Sequence, residues 1–229
     1  MKLEIIYEDN HIIAINKAIG ELVQPDPSGS PSLEEKVKQY IKEKYNKPGE
    51  VFLGVVHRID RPTSGVVIMA RTSKALTRLN EQLRDRGFHK EYLAIVENPL
   101  PKKSDHLVGH LTRNSKTNKS HISSLPQKDS KVAELKYNYL GATTNYHLVS
   151  VELLTGRHHQ IRAQLSTLGC PIKGDLKYGA KRSNKYGGIA LHSYKLTITH
   201  PVTKEQITLK ATPPCEEILW KELSQYTNI

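Results

Sequence analysis

Apolar and polar residues alternate along the chain in short runs that predict both strands and helices. Short runs rich in Val and Ile, bounded by turn residues, are typical of strands. They predict strands at residues 3–7, 12–16, 51–56, 65–70, 91–96, 133–140, 146–154, 189–199 and 206–209. Only a short polar stretch separates the first two runs, so they are predicted to form a hairpin.

Apolar residues at helical spacing predict helices over residues 33–45, 73–86, 161–168 and 216–224. Ser32 precedes Glu35 by three residues, which is the spacing of a capping box. Ser73 is the predicted cap of the second helix, and Gly87 is its predicted end. Gly169 is expected to close the third helix.

Strands that follow one another through short connections favour antiparallel pairing, with helices packed beside the sheet. We therefore predict an α+β fold, a mainly antiparallel mixed sheet with flanking helices. The length suits a single domain over residues 1–229. Residues 24–31 are predicted to form a loop, and residues 105–122 fit either strands or a flexible insertion.

Basic residues outnumber acidic ones, and the excess is concentrated in two stretches. Together, 34 Lys and Arg against 23 Asp and Glu give a formal charge of +11. Residues 1–50 carry a net −2, so the rest of the chain carries +13. Residues 101–131 hold seven basic and two acidic residues, and residues 155–185 hold seven and one. Basic stretches of this kind favour binding to a polyanionic partner, because neutralising phosphates releases condensed counterions.

The cysteines and the N-terminus indicate a protein that is not exported. Cys170 and Cys215 lack a spaced motif, so we interpret them as reduced structural thiols. The first ten residues contain Glu4, Glu8 and Asp9 and no long apolar run, which argues against a signal peptide. No run reaches the length of a membrane span. We expect a cytoplasmic protein that does not contact membranes, with a monomer as the default.

Residue spacing gives no support to a metal or a nucleotide cofactor. His106 and His110 lie at helical spacing and His158 and His159 are adjacent, but no third ligand lies in a recognised register. The chain has neither a P-loop nor a dinucleotide fingerprint. We therefore expect no metal and no cofactor.

The densest chemical signal is the charged turn H-R-I-D-R-P-T-S-G at residues 57–65, between two predicted buried strands. Pro62 fixes its own backbone dihedral and the final Gly permits a sharp exit, so Asp60 is predicted to lie at a rigid tip. The flanking Arg58 and Arg61 could keep its carboxylate ionised, as a nucleophile requires, or could engage phosphate. On residue types alone, an ordinary surface ion-pair turn is the alternative.

This turn resembles the motif around the catalytic aspartate of the RluA-type pseudouridine synthases, H-R-L-D-x-x-T-S-G. Only Ile59 departs from that pattern, and it does so conservatively. The block K-E-Y-L-A at residues 90–94 resembles the family's strand that bears an active-site tyrosine. The resemblance therefore implies that Tyr92 faces the target base.

A third block, T-G-R-H-H-Q-I-R at residues 155–162, resembles the family segment T-G-R-x-H-Q-I-R, and the following G-C-P-I-K-G-D resembles its trailing loop. By that resemblance Arg162 should pair with Asp60. A weaker similarity is L-H-S-Y ahead of H-P near the end of the chain. The resemblance starts at the opening hairpin, so we expect no separate RNA-binding domain ahead of it.

The resemblance implies an isomerase that breaks the bond from ribose to nitrogen in uridine, turns the uracil and rejoins it through carbon 5. The nucleotide, in structured rRNA or tRNA, would be flipped into a pocket. Asp60 would act as nucleophile or as the base that starts cleavage, with Arg162 keeping it ionised. Tyr92 would stack on the uracil, although a phenol with a pKa of about 10 is a poor base for the carbon-5 proton.

RNA contacts are expected from residues in or beside these blocks. They are Arg58, which would help to fill the space the base vacates, and Arg61, Thr63, Lys90, Arg157 and His159. Two rival functions are a nucleoside or glycoside hydrolase and a non-catalytic RNA-binding or ribosome-assembly protein. The hydrolase normally needs a second carboxylic acid, and Asp60 has no evident partner of that kind in the sequence.

Overall fold

The computed structural model describes residues 3–27 and 29–227, and the chain divides into two compact units. The first unit contains the chain up to Phe88 together with Ser193–Thr212. The second unit contains His89–His192 and the segment from Pro213 onward. The interpretation of residues 1–229 as one domain stays a prediction.

The strands of the described residues are β1 (Ile5–Glu8), β2 (Ile12–Lys17), β3 (Gly54–Val55), β4 (Ser64–Ala70), β5 (His89–Val96), β6 (Ser104–Asn114), β7 (Lys119–Ser123), β8 (Lys131–Ala142), β9 (His147–Leu153), β10 (Leu191–Thr199) and β11 (Gln206–Lys210). The helices are α1 (Leu33–Lys44), α2 (Ser73–Arg84), α3 (Gln160–Thr167) and α4 (Ile218–Leu223). Short 3-10 turns lie at Leu176–Tyr178 and Ser224–Tyr226. The predicted α+β class with a mainly antiparallel mixed sheet is confirmed.

In the first unit the strand order is β1-β2-β4-β10-β11, and β1–β2 is the predicted hairpin. Strand β4 is buried along its whole length, because it lies inside the sheet and α2 covers one face. Side chains on that face, among them Ile12, Val66 and Ile68, pack with Ala75 and Leu79 of α2 into one core cluster. This buried strand leads directly out of the Asp60 turn.

The first two helices begin with side-chain caps, one as predicted and one not. Ser32 caps α1 in a full capping box with Glu35, which confirms the predicted motif. The cap of α2 is Thr72 rather than Ser73, because Thr72 keeps an extended backbone and its hydroxyl accepts the N–H of Ala75 at 3.2 Å. Ser73 is already the first helical residue, so it cannot be the cap.

The predicted strand at residues 51–56 is mostly wrong, because only Gly54 and Val55 pair, opposite Ala70 and Met69 at the end of β4. Strand β4 has β2 and β10 as its neighbours in the sheet. Little of its backbone is left for a third partner, so an apolar run in this position stays largely irregular.

In the second unit the strand order is β5-β9-β8-β6-β7, and all of these pairings are antiparallel. The segment at residues 105–122, which the sequence left open, forms the long hairpin of β6 and β7. In the part of the chain that the structure describes, every helix is too short or too polar to cross a lipid bilayer.

Candidate active site

The Asp60 turn connects β3 to β4 in the first unit. The Asp60 side chain is half-buried, and the Asp60 carbonyl accepts the N–H of Thr63 at 3.0 Å. Gly65 leaves the turn at φ +113°, where a side chain would collide with the backbone of Ser193 in β10. Gly65 therefore gives the turn the sharp exit that the sequence predicted, and the ring of Pro62 restricts the backbone within the turn.

A second loop, which follows β2, clamps the turn from its other side. The N–H of Gly20 donates to the carbonyl of Arg61 at 2.9 Å, and Arg61 Nε donates back to the carbonyl of Gly20 at 3.0 Å. Lys17 is fully buried, and its Nζ donates to the carbonyls of Ala18 and Glu21 at 2.9 Å each and of Arg61 at 3.3 Å. The backbone next to Asp60 is thereby fixed.

Sequence reasoning missed Lys17, although a signal was present. It ends the apolar run of β2, where a charged residue inside a buried strand needs several hydrogen-bond acceptors. Burial lowers the pKa of Lys17 to about 8, even though the negative charges of Glu21 and Asp60 act in the opposite direction. The ammonium is therefore expected to remain protonated at neutral pH.

The buried Lys17 predicts a rise of stability with pH in the alkaline range. From about pH 8 to the ordinary lysine pKa, the unfolded chain binds a proton that the folded protein has released. Relative to Lys17→Met, the free energy of unfolding of the wild type should rise by about 1 kcal/mol per pH unit in this window. Urea denaturation at several pH values measures it, with exposed Lys42→Met as the control. A flat difference would contradict the assignment.

The other predicted residues of this turn differ in exposure. Arg58 and Arg61 are exposed, as RNA-contacting cations should be. Thr63 is only 2% exposed, so an RNA contact would have to reach it from inside the turn. Its hydroxyl oxygen is buried without a hydrogen-bond partner among the described residues. His57 contacts β4, since its Nε2 accepts the N–H of Ile68 at 3.2 Å.

Tyr92 and Arg162 belong to the second unit. Tyr92 lies in β5 opposite Val151 of β9 and is 7% exposed. Arg162 lies on α3, is 4% exposed, and forms a two-pronged ion pair with Asp175 through Nε–Oδ2 at 2.7 Å and Nη2–Oδ1 at 2.9 Å. The centroid of the Tyr178 ring lies 4.9 Å from the guanidinium carbon of Arg162. Asp175 and Tyr178 thus orient Arg162, a role that the sequence did not reveal.

Hydrogen bonds of Gln160 hold the T-G-R-H-H-Q-I-R block in place ahead of α3. Gln160 Oε1 accepts the hydroxyl of Thr155 at 2.8 Å and the N–H of Arg157 at 3.0 Å, which closes the turn ahead of α3. Its Nε2 donates to the carbonyl of Glu134 in β8 at 3.1 Å. This ties the start of α3 to the sheet, and Arg162 follows two residues later.

His159, the residue immediately before α3, adopts the left-handed conformation, with φ 53°. Its Nδ1 lies 3.0 Å from the hydroxyl of Tyr178, and its ring stacks on His158 with centroids 3.7 Å apart. Desolvation, assisted by the nearby charge of Arg162, lowers the pKa of His159 to about 3. Any RNA contact by His159 would therefore come from a neutral ring.

The remaining predicted contacts, Lys90 and Arg157, also lie in the second unit. Lys90 is half-buried, and burial lowers its pKa. A Cβ added to Gly156 would lie 3.6 Å from Lys90 Nζ, so the lysine lies beside the T-G-R turn. Arg157 is exposed, and its Nε donates to the carbonyl of Val132 at 3.0 Å. The predicted residues thus form two groups, one within each unit.

The described residues contain no cluster of three or more His, Cys, Asp or Glu arranged to hold a metal ion. The two adjacent histidines, His158 and His159, contact Ser120 and Tyr178 instead. Among the described residues, the candidates for chemistry remain the Asp60 carboxylate on its turn in the first unit, and the buried Tyr92 and the buried guanidinium of Arg162 in the second.

Comparisons with known proteins identify relatives of this chain. A family profile described as RNA pseudouridylate synthase matches residues 11–167. Ribosomal large subunit pseudouridine synthase C of Escherichia coli (strain K12) is 32% identical over 232 residues, which cover 98% of this chain and 70% of that protein. The tRNA pseudouridine synthase C of Pectobacterium carotovorum subsp. carotovorum is 31% identical over 229 residues, covering 91% of this chain and 58% of that protein.

Among solved structures, human RNA pseudouridylate synthase domain containing 4 has the same fold. Its TM-score is 0.80 at 23% identity, and the match covers 97% of this chain and 93% of that one. The family profile spans the Asp60 turn, the Tyr92 strand and Arg162. This chain belongs to the RNA pseudouridylate synthase family, whose members are isomerases acting on RNA.

Proposed function

We propose that this protein converts specific uridines of rRNA or tRNA to pseudouridine and that Asp60 is its catalytic carboxylate. The observation that carries the proposal is the Asp60 turn, which keeps the family motif and is held by four hydrogen bonds involving Asp60, Arg61, Gly20 and Lys17. A carboxylate positioned before the substrate arrives reduces the entropy lost on reaching the transition state. Asp60 would act either as nucleophile or as the base that starts cleavage.

Tyr92 and Arg162 are proposed to serve the same uridine, as the family resemblance implies. Tyr92 would stack on the uracil, since an aromatic face tolerates any orientation of the base during its turn. Arg162 would help to keep Asp60 ionised, and its two bonds to Asp175 restrict its rotamers so that it is ready for that role. Extruding the uridine costs a few kcal/mol, which contacts to the RNA backbone would offset.

The charge distribution supports a structured RNA as substrate. Both basic stretches, residues 101–131 and 155–185, lie in the second unit, and most of their Lys and Arg side chains are exposed or half-buried. The relatives named above act, by their names, on the large ribosomal subunit or on tRNA. We further propose that the protein works in the cytoplasm as a monomer, without metal or cofactor, since an isomerisation needs no redox partner.

Mapping pseudouridines across total RNA from cells with and without the gene tests this function. We expect one or a few positions in rRNA or tRNA to lose the modification, and purified protein to restore it on a transcript whose mass does not change. Release of free uracil would instead support the hydrolase. If no position changes and the protein still binds ribosomal particles, the non-catalytic interpretation is correct.

A further inference from the structure

The segment that leads from the 3-10 turn at Leu176–Tyr178 to β10 is basic and exposed. Lys181, Arg182 and Lys185 all have exposed side chains, and the ring of Tyr186 is 60% exposed. A single exposed aromatic ring is common on protein surfaces. This ring belongs to a tight turn in a segment that also carries three exposed cations.

Residues 184–187 form that turn. The N–H of Gly187 donates to the carbonyl of Asn184 at 3.1 Å, so Lys185 and Tyr186 occupy the two central positions. Lys185 Nζ lies 5.5 Å from the centroid of the Tyr186 ring. The turn therefore presents an ammonium group and an aromatic ring side by side.

The turn is anchored from below by a buried amide. Asn184 is only 6% exposed, its Oδ1 accepts Lys173 Nζ, and its Nδ2 donates to the carbonyl of Gly188 at 3.4 Å. Gly187 and Gly188 both have positive φ, which lets the chain leave the turn sharply. Such anchoring orders the turn in advance, so less entropy is lost when a ligand binds.

Asn184 also connects the turn to the segment that orients Arg162. A Cβ added to Gly174 would lie 2.7 Å from the amide nitrogen of Asn184, so the two residues pack directly on each other. The next residue, Asp175, holds Arg162 through both carboxylate oxygens. The exposed turn and a proposed active-site residue thus share one packed segment of the second unit.

We propose that this turn, together with Lys181 and Arg182, binds an unpaired nucleotide of the substrate RNA outside the target uridine. The base would stack on Tyr186, and Lys181, Arg182 and Lys185 would contact the neighbouring phosphates. Aromatic stacking suits unpaired RNA because every base offers a flat face. The cations favour a polyanion over a protein partner, whose docking would call for a wider apolar patch. This inference rests on RNA being the substrate, as proposed above.

Fluorescence anisotropy with two labelled RNAs tests the proposal. One is a synthetic hairpin with an unpaired loop, and the other is a duplex of the same length. Tyr186→Ala should raise the Kd for the hairpin at least about fivefold, the lower limit for losing one stacked base, and leave the Kd for the duplex unchanged. Tyr186→Phe keeps the ring and should bind like the wild type. Lys181→Ala should weaken the binding of both RNAs. It should also lower the slope of log Kd against log salt concentration by the equivalent of about one phosphate contact.

Lys42→Ala, an exposed lysine of α1, is the control for general charge. If Tyr186→Ala binds the hairpin as tightly as the wild type, or if the wild type binds neither RNA, the proposal is wrong, and a protein partner becomes the better explanation for Tyr186. Pseudouridine formation measured in parallel separates the two proposals. If the protein forms pseudouridine but Tyr186→Ala does not change its Kd for the hairpin, only the proposed nucleotide site at the turn is wrong. If the protein forms no pseudouridine but Tyr186→Ala weakens hairpin binding, only the proposed isomerase function is wrong.

Discussion

Asp60→Asn is expected to abolish isomerisation while leaving the fold and RNA binding intact. The amide keeps the shape of the side chain, and the hydrogen bonds that hold the turn use the backbone of Asp60 and the backbone and side chain of Arg61, all of which the substitution retains. It removes the negative charge and the basicity that either proposed role requires. We expect turnover to fall by at least about a hundredfold, the lower range for losing an acid-base group. Tritium release from RNA labelled at carbon 5 of uridine measures it.

Asp129→Asn is the matched control, because Asp129 is exposed and lies at φ 62°, where Asn is equally well accommodated. This variant should release tritium at the native rate. Retention of native turnover by Asp60→Asn would refute the catalytic assignment of Asp60. Loss of RNA binding together with turnover would show that the variant disturbs more than the chemistry.

Arg162→Met is expected to destabilise the protein by about 3–5 kcal/mol, because it leaves the Asp175 carboxylate buried without its partner. Asp175 is 1% exposed, and its two oxygens accept hydrogen bonds from Arg162 at 2.7 and 2.9 Å. Urea denaturation measures the loss. The double variant Arg162→Met with Asp175→Asn should be more stable than Arg162→Met alone, since it also removes the buried charge.

Arg84→Met is the control for this measurement, since the Arg84–Asp85 pair is exposed, with 74% and 69% of the two side chains accessible. Its effect should stay within about 0.5 kcal/mol. Equal stability of Arg162→Met and the wild type would mean that Asp175 does not depend on the guanidinium. Arg162→Lys loses the two-pronged geometry but keeps a positive charge to pair with Asp175. Since the Asp175 charge is not left unpaired, this is the better variant for testing the catalytic role.

Much of the fold around the candidate site was predictable because its signals are local. Ser32 and Glu35 form the predicted capping box, since both partners lie within one turn of helix. The rigidity of the Asp60 turn follows from Pro62 and Gly65, whose backbone preferences act wherever they stand. Family motifs are likewise runs of neighbouring residues, so the order of residues along the chain is enough to name Asp60, Tyr92 and Arg162.

Contacts between distant segments were not predictable in this way. Thr72 rather than Ser73 is the cap because its backbone is extended, whereas Ser73 is already helical. Two adjacent hydroxyl residues look equally suitable in the sequence. Of the strand predicted at residues 51–56, only two residues pair, because β4 already has β2 and β10 as neighbours. His159 was expected as an RNA-contacting residue from its motif, but the surrounding packing is what desolvates it and lowers its pKa.

The chain alone therefore determined the α+β class, the capped first helix, the stiff Asp60 turn and membership of an RNA-modifying family. Tertiary structure decided that Lys17 fixes the turn and that Asp175 holds Arg162. The physical reason is that capping and turn geometry depend on residues a few positions apart, whereas burial of a charge depends on everything packed around it. The apolar run that ends at Lys17 hints that this lysine is buried, but only the folded chain shows which carbonyls accept its hydrogen bonds.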